Sequence, residues 1–464
     1  VQGRYVGFYK DEIMSPLSRN GAITFFGLML ATTVAFSSCS PVDGQTKGTT
    51  EPAARSKAFP GAVGYGAAAL GGFKGKIIQV TTTADNVAGS LRACVEAVGP
   101  RTCVFRVGGI FRFDGFPPVI KNPYLTIAGQ TAPGGGVTIA HDGSIESRTP
   151  LLIKNTNDVI VRHVRIRNDR IGGEKESEDS ITIENSKYVV IDQVSASWAR
   201  DEIINGYGNN DFITISNSIF SYGIPKHDKC ALLGSDPKNS QNFSFIGNIC
   251  AHNGDRNPDI NFKPSSCVEV INNIFYNAVS EFAEVWETYG GTPVSIVGNS
   301  FKAGIDTTDN AVGVIRQTVE STGNSAIYLH DNQFFGSFTD IDASVAVARR
   351  NTPPCPLTVK PMAAGVAYSS VLAKSGAWPR DAIDVEVVND VINRTGQIVS
   401  LPGSIPAIFA GTPYPDTDRD GMDDRWEVKN AAKVGVSDPW LDGNRDGITN
   451  LDAFLDYLHK QIVR

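Results

Sequence analysis

Short runs of alternating apolar and polar residues recur through the middle of the chain, at 159–166, 189–196, 212–220, 243–250, 268–275, 294–301 and 326–334. Alternation with period two predicts strands, not helices. The last residues of the runs align as a ladder, Ile166, Ala196, Phe220, Cys250, Phe275, Phe301 and Phe334, at intervals of 30, 24, 30, 25, 26 and 33 residues. Repeats of this length mark a solenoid. One residue kind at one register predicts a parallel β-helix, each coil stacking on the last at one strand spacing, about 4.8 Å. Two positions ahead of the ladder stand Asn248, Asn273, Asn299 and Asn332, with Ser218 one coil earlier. Stacked amides there can bond along the axis and satisfy the backbone at a bend, a structural role. The expected fold class is all-β, a parallel β-helix over about residues 59–340.

The flanks read differently. Met14 reads as a start, followed by one cation, Arg19, and an apolar stretch at 21–36, the anatomy of a secretory signal peptide. Phe36-Ser37-Ser38-Cys39 resembles a lipobox and leaves a lipid anchor at Cys39 open. Residues 1–39 are thus upstream sequence and signal, and 40–57 a polar linker. Residues 341–410 are expected to pack along the solenoid, and 411–464 form a separate acidic segment. Lys plus Arg is 42 against 49 for Asp plus Glu, a net charge of −7. That argues against nucleic acid as a partner. No run of 18 apolar residues suggests a membrane span in the body of the chain. With Cys39 set aside, six of the seven cysteines remain, an even number in an exported chain. Cys94 and Cys103 are expected to pair, closing a loop worth roughly 2–3 kcal/mol. The other four allow three pairings, and the sequence chooses none. The six histidines join no cysteine at zinc spacing.

Ala58-Phe-Pro-Gly-Ala-Val-Gly-Tyr-Gly66, Gly89-Ser-Leu-Arg92 and Thr126-Ile-Ala-Gly-Gln-Thr-Ala-Pro-Gly134 resemble the start of a pectate lyase of polysaccharide lyase family one. Asp179-Ser-Ile-Thr-Ile183, Val190-Ile-Asp-Gln-Val-Ser-Ala-Ser-Trp198, His227-Asp-Lys-Cys-Ala-Leu-Leu-Gly234 and Arg256-Asn-Pro258 follow in the family's order. The resemblance covers about 58–340. It implies a right-handed parallel β-helix and calcium-dependent β-elimination of polygalacturonate, an acidic polysaccharide, to a 4,5-unsaturated product. It implies Arg256 as the catalytic arginine, Lys229 as the second catalytic cation, and Asp179, Asp201 and Asn205 as calcium ligands, with Glu202 an alternative oxygen. A secreted monomer is expected.

The spacing agrees with that chemistry. Asp201, Lys229 and Arg256 each follow a ladder residue on successive coils, so they should project from one edge of the solenoid about 5–10 Å apart. The C5 proton of a uronate is weakly acidic, and a hard cation on oxygen ligands stabilises the enolate-like transition state. A base must then reach the proton. Guanidinium has a pKa above 12, so crowding by calcium and Lys229 is expected to favour the neutral arginine and a high-pH optimum. Two departures stand out. The family often continues with arginines that bind substrate carboxylates, where this chain has Asp259 and Asn261, leaving Lys263 to meet substrate. Gln193 stands where a histidine is usual. Tyr207, Trp198 and Trp286 are read as packing residues first and sugar platforms second.

In the acidic tail, Asp416-Thr-Asp418-Arg-Asp420-Gly421 with Asp424 ninth and Glu427 twelfth matches the EF-hand loop pattern. Asp442-Gly-Asn444-Arg-Asp446-Gly447, with Asn450 ninth and Asp452 eleventh, resembles a dockerin-type loop and is followed by a helical run at 451–462. A pair of structural calcium loops far from the chemistry is expected. The leading function is an exported pectate lyase. The alternatives are a lyase for esterified pectin or another uronan, and a non-catalytic polysaccharide-binding β-helix, which Asp259 and Asn261 favour. A hydrolase needs clustered carboxylates about one bond, and its Gly-His-Gly motif is absent.

Overall fold

Three parallel sheets of eleven, nine and nine strands wind about one axis. This computed structural model describes residues 57–140, 149–171, 178–318 and 323–463. The signal-like stretch, Cys39 and the linker to residue 56 lie outside the described residues. Each coil gives one strand to each sheet, so the fold is the expected parallel β-solenoid. The ladder holds in register: Ala196 pairs with Ile166 and Phe220, Cys250 with Phe220 and Phe275, and Phe301 with Phe275 and Phe334. Phe301 and Phe334 stack at 4.9 Å. Each buried phenylalanine stabilises the interior by roughly 2–3 kcal/mol.

The bend into the ladder repeats with the same backbone. His163, Gln193, Asn217, Asn272 and Asp331 take left-handed φ between 48° and 55°, where Gly247 and Gly298 stand in other coils. Asn and Gly tolerate that region at least cost. The residue after each bend is bonded by the coil that follows: Ser218 N–H donates to Asn248 Oδ1 (2.9 Å), Asn248 to Asn273 (2.8 Å), Asn273 to Asn299 (2.8 Å) and Asn299 to Asn332 (3.0 Å). The amide ladder is therefore a structural device that pays the hydrogen-bonding cost of a buried bend.

Three disulfides form: Cys94–Cys103, as expected, with Cys230–Cys250 and Cys267–Cys355. The second joins neighbouring coils. The third ties the chain beyond the solenoid back to it. Three covered cross-links suit an oxidising compartment. The strands run on to Arg349–Arg350, past the expected limit near 340.

Two of the three outer faces are covered. Helices Ala364–Lys374 and Ala382–Asn393 bury Val371, Val387 and Val391 on Ile219, Ile249 and Tyr276 of the second sheet. Fully buried Arg167 anchors them through Asp381 and Asp384. The first sheet is covered by residues 58–69, by the segment near Leu357 and by helix Asn450–Ile462. Gly66 lies so close that a Cβ would meet the Val189 carbonyl at 2.6 Å, which explains the glycine of that motif. None of these outer apolar clusters includes a residue of the third sheet. No helix among the described residues is long and apolar enough to cross a membrane.

Replacing Asn273 by Ala strips the acceptor from Asn248 N–H and the donors from the Phe245 and Asn299 oxygens. The expected cost is about 2–4 kcal/mol, read from urea unfolding. A loss under about 0.5 kcal/mol would show that the ladder carries no stability.

Candidate active site

The third sheet, which no outer apolar cluster among the described residues covers, carries the candidate residues at the starts of its strands. Asp179 precedes Ile181–Glu184, Glu202 opens Glu202–Tyr207 and Lys229 opens Lys229–Ser235. Arg256 precedes Asp259–Ile260. Glu202 pairs in register with Lys229, and Lys229 bridges to Asp255. Successive coils thus place Asp179, Glu202, Lys229 and Arg256 in a row along the axis, where the spacing predicts one edge for Asp201, Lys229 and Arg256. Arg256 reaches back across the Lys229 coil and forms an ion pair with Glu202.

Asp179, Asp201 and Glu202 offer oxygens all within 4.8 Å of one another. Asn205 closes the group, its Nδ2 donating to Asp179 Oδ2 at 3.2 Å while its Oδ1 is buried with no hydrogen-bond partner. Thr182 Oγ1 donates to the same Asp179 oxygen at 2.5 Å. Burial, then the charge of Asp201, pushes the Asp179 carboxyl up to about 7. Burial, then Asp201, also holds the Glu202 carboxyl well above its ordinary range. Crowded carboxylates with an unbonded amide oxygen fit a hard divalent cation such as calcium, and the His227 imidazole stands beside them, its Nδ1 3.9 Å from Asp201 Oδ1. Both Glu202 and Asn205, weighed as alternatives in the sequence, belong to the group.

Arg256 departs from its expected environment. Burial pushes its guanidinium down, but Asp259, Glu202, Glu284 and Asp255 together outweigh burial and raise it. Its surroundings favour the cation, whereas crowding by positive charge was expected to favour the neutral form. Arg256 Nε lies 3.7 Å from Asp259 Oδ2, and its N–H donates to Glu284 Oε1 at 3.1 Å. Lys229 Nζ donates to Asp255 Oδ2. A second acidic group, Asp255, Glu281 and Glu284, therefore flanks the two cations on the side away from Asp179. Glu281 and Glu284 belong to no motif. Only alignment of the coils, which sets Asp259 opposite Glu284, would have found them.

Lys263 is not brought into the row. It lies beyond the far end of Asp259–Ile260 in a turn closed by Ser266 N–H on its carbonyl (3.0 Å). Trp198 is buried against the second-sheet cluster, as packing predicts. Trp286 donates its indole N–H to Glu284 (3.2 Å), and Tyr207 is exposed on the open face.

In the tail, the two acidic loops share one conformation. Asp420 N–H donates to Asp416 and Asp418, and Asp446 N–H donates to Asp442 and Asn444, all within 3.3 Å. Arg419 and Arg445 both have left-handed φ, at 63° and 61°. Asp416, Asp418 and Asp420 converge, and Asp420 also converges with Glu427 and Asp438. Glu427 is fully buried and neither of its carboxylate oxygens has a hydrogen-bond partner. Burial, then Asp420, pushes it up to about 7. Asp438 is a member the sequence pattern misses, because it falls outside the twelve-residue loop. Asp424 turns away, both its oxygens accepting from Thr417. Asn450 bridges to Asp438 (3.0 Å), and Asp452 accepts from the N-cap Thr449 hydroxyl (2.8 Å), so it serves the helix start.

A parallel β-solenoid with one open face bearing a row of carboxylates and cations defines a protein that handles an extended polymer along its coils. A family model described as "Pectate lyase" matches residues 131–379. The "Probable pectate lyase C" of Neosartorya fischeri is 30% identical over 415 residues, 86% of this chain and 93% of that protein. The protein of that name from Aspergillus oryzae is 30% identical over 86% of this chain and 94% of its own length. The chain belongs to the pectate lyase family. The crystal structure of Jun a 1, the major cedar pollen allergen, shares the fold at 21% identity and a TM-score of 0.51, over 67% of this chain and 91% of that one.

A cation bound by Asp179 must displace the proton that burial holds there up to about 7. Calcium affinity is therefore expected to be roughly tenfold higher at about pH 8 than at about pH 6, as measured by titration calorimetry. The same elevation means the metal-free protein loses stability as pH rises from the unfolded carboxyl range through 7, and calcium restores it. Affinity that is flat over that interval would show the carboxyl already ionised.

Proposed function

We propose that the chain is an exported pectate lyase that cleaves polygalacturonate by β-elimination, with calcium held by Asp179, Asp201, Glu202 and Asn205. The observation that carries this reading is the row on the open sheet, with an oxygen-only cation group on one coil and Lys229 and Arg256 on the next two. Calcium at that group supplies positive charge beside a uronate carboxylate, which acidifies the adjacent C–H. Lys229 and Arg256 supply fixed cations to the same region of the polymer. Arg256, partly exposed at the mouth of the row, is the group placed to take the C5 proton. Its carboxylate neighbours keep it charged, so its neutral fraction grows only at alkaline pH, and turnover is expected to rise with pH. Export rests on the signal-like stretch at 21–36 and the three disulfides; lipidation at Cys39 is tested by labelling with a fatty-acid analogue.

Asp259, a carboxylate where the resembling family has a substrate-binding arginine, favours a second reading on specificity, a lyase for a uronan other than fully de-esterified pectate. Ultraviolet absorbance of the unsaturated product, across polygalacturonate, esterified pectin and other uronans, with and without chelator, separates these readings. Product from none of them at alkaline pH with calcium overturns the lyase.

Arg256→Ala is expected to reduce turnover at least about 100-fold in a protein that remains folded, with its melting lowered by the loss of the partner of Glu202 and Asp259. Activity within about threefold of wild type, under about 1 kcal/mol in barrier, would place the base elsewhere.

We also propose that the tail binds a structural calcium through Asp416, Asp418, Asp420, Glu427 and Asp438, with Asp442, Asn444 and Asp446 forming the second loop. Asp201→Ala is expected to abolish turnover with little change in melting. Asp416→Ala with Asp420→Ala is expected to hasten proteolysis beyond about residue 410 and leave turnover nearly unchanged at saturating calcium. Tail variants that abolish turnover in a folded protein would reverse the assignment.

A further inference from the structure

We propose that a second divalent-cation site lies on the far flank of Arg256, built by Asp255, Glu281 and Glu284 with Asp259, and that calcium held there bridges the protein to a second carboxylate of the bound polymer. The bridging role rests on the reading of the chain as a lyase of an acidic polysaccharide; the site itself does not.

Asp255, Glu281 and Glu284 each offer an oxygen, and the three oxygens lie within 4.8 Å of one another. Such a cluster alone is common on protein surfaces. What singles this one out is Asp259, whose residue is 3% exposed and whose Oδ1 has no hydrogen-bond partner. Asp259 pairs in register with Glu284, so the two side chains leave the sheet on the same face, side by side. Asp255 Oδ1 is likewise enclosed and unbonded.

The neighbouring cations do not account for these oxygens. Lys229 takes only Oδ2 of Asp255, and Arg256 approaches only Oδ2 of Asp259. One oxygen of each carboxylate is left without a donor. Glu281, half-buried, has no bond to either cation. A buried carboxylate oxygen without a donor is unfavourable unless a cation meets it. The donors are all oxygen, which selects a hard ion of the calcium kind.

Charge gives the same answer. Lys229 and Arg256 stand between two acidic groups and cannot neutralise both. With one divalent ion among Asp179, Asp201 and Glu202, the flank at Glu281 and Glu284 remains anionic. A polyanion laid along the coils would meet that flank one or two coil spacings farther on, about 5–10 Å. Like charges at that range repel, and a bridging divalent ion converts the repulsion into a contact.

Glu281→Gln tests the site, since it keeps the side chain's size and costs the protein no side-chain hydrogen bond. Calcium stoichiometry of the full chain is measured by equilibrium dialysis with the metal alone, beside Asp201→Ala as the control that loses the first site. The expected result is one ion fewer per chain than wild type, with an unchanged melting temperature. With polygalacturonate, KM is expected to rise about fivefold or more while kcat stays within about twofold. Terbium provides an independent probe, because the Trp286 indole N–H donates to Glu284 at 3.2 Å and the ring lies against the site. The sensitised luminescence lost in Glu281→Gln should also be lost in Trp286→Phe. Equal stoichiometry and equal terbium signal in wild type and Glu281→Gln would overturn the site. Lost stoichiometry with unchanged KM would overturn the bridging role. Absence of unsaturated product from wild type would sink the lyase reading alone, because the stoichiometry is read without substrate.

Discussion

The registration of one coil on the next is the constraint on which the rest of the molecule depends. The bend between the first and second sheets is two residues long in coil after coil, from Asp192 to Ser195, Ser216 to Ile219, Ile246 to Ile249 and Ile271 to Ile274. It is held by an amide from the following coil and lined inside by the aromatic ladder. With that corner fixed, differences in coil length go to the other connections. Those from the second sheet to the third range from the short Phe335-to-Thr339 link to the long Arg167-to-Ile181 one. Asp179, Asp201, Lys229, Asp255 and Arg256 all lie in or at the end of these variable connections. A rigid corner and a variable corner on the same coil let the scaffold hold chemistry that the scaffold itself does not need.

Stacking at one strand spacing also concentrates charge. Side chains about 4.8 Å apart along the axis cannot avoid one another. Where the stack is of amides, the closeness makes hydrogen bonds. Where it is of carboxyls, it raises their proton affinity, as at Asp179, Glu202, Asp259 and Glu284. Burial is the largest cause at each, and neighbouring acids add to it at all four. Arg256 and Lys229 relieve part of this crowding, which is why the protein without metal holds its arginine charged. The carboxylate group and the arginine are therefore one electrostatic unit: a metal at Glu202 would compete with Arg256 for the same carboxylate and alter the field that keeps the guanidinium protonated.

The solenoid was legible in the sequence because each coil repeats one pattern at one register, and seven ladder positions suffice to align it. The cation group and the Lys229–Arg256 row were legible through ordered motifs and their offset from the ladder. What was hidden depends on contacts between coils that no local pattern encodes. Glu281 and Glu284 read as ordinary polar positions of a strand until the coil before them places Asp259 alongside. The charge state expected of Arg256 failed for the same reason, since its acidic neighbours come from three coils. Asp438 was missed because the ligand pattern ends at its twelfth position, whereas the chain returns to the loop eleven residues later. Lys263 was named as the cation to stand in for the arginines missing at Asp259 and Asn261, and the strand between it and Arg256 carries it away from the row.

The tail shows how far the same logic extends beyond the solenoid. Asp416 is not only a member of the acidic loop. Its Oδ2 accepts from Gln79 at 2.8 Å and lies 3.7 Å from Arg106, both near the start of the solenoid. Trp440 donates to the Gly75 carbonyl at 2.9 Å, and Met422, Trp426 and Phe454 pack on Ala128 and Ile77. The loops and helix of the tail thus return to cover the first coils. On the proposal that the tail binds calcium, a cation at Asp416 and Asp420 would hold the loop in the conformation that docks, and docking would present Asp416 to Arg106 and Gln79 in the conformation that binds. By linkage each event strengthens the other by the same factor. Arg106 also competes with the cation for Asp416, so docking lowers the loop's intrinsic affinity even as it orders the loop. The balance between ordering and competition would then set how much calcium such a tail takes, with Arg106 the residue on which that balance turns.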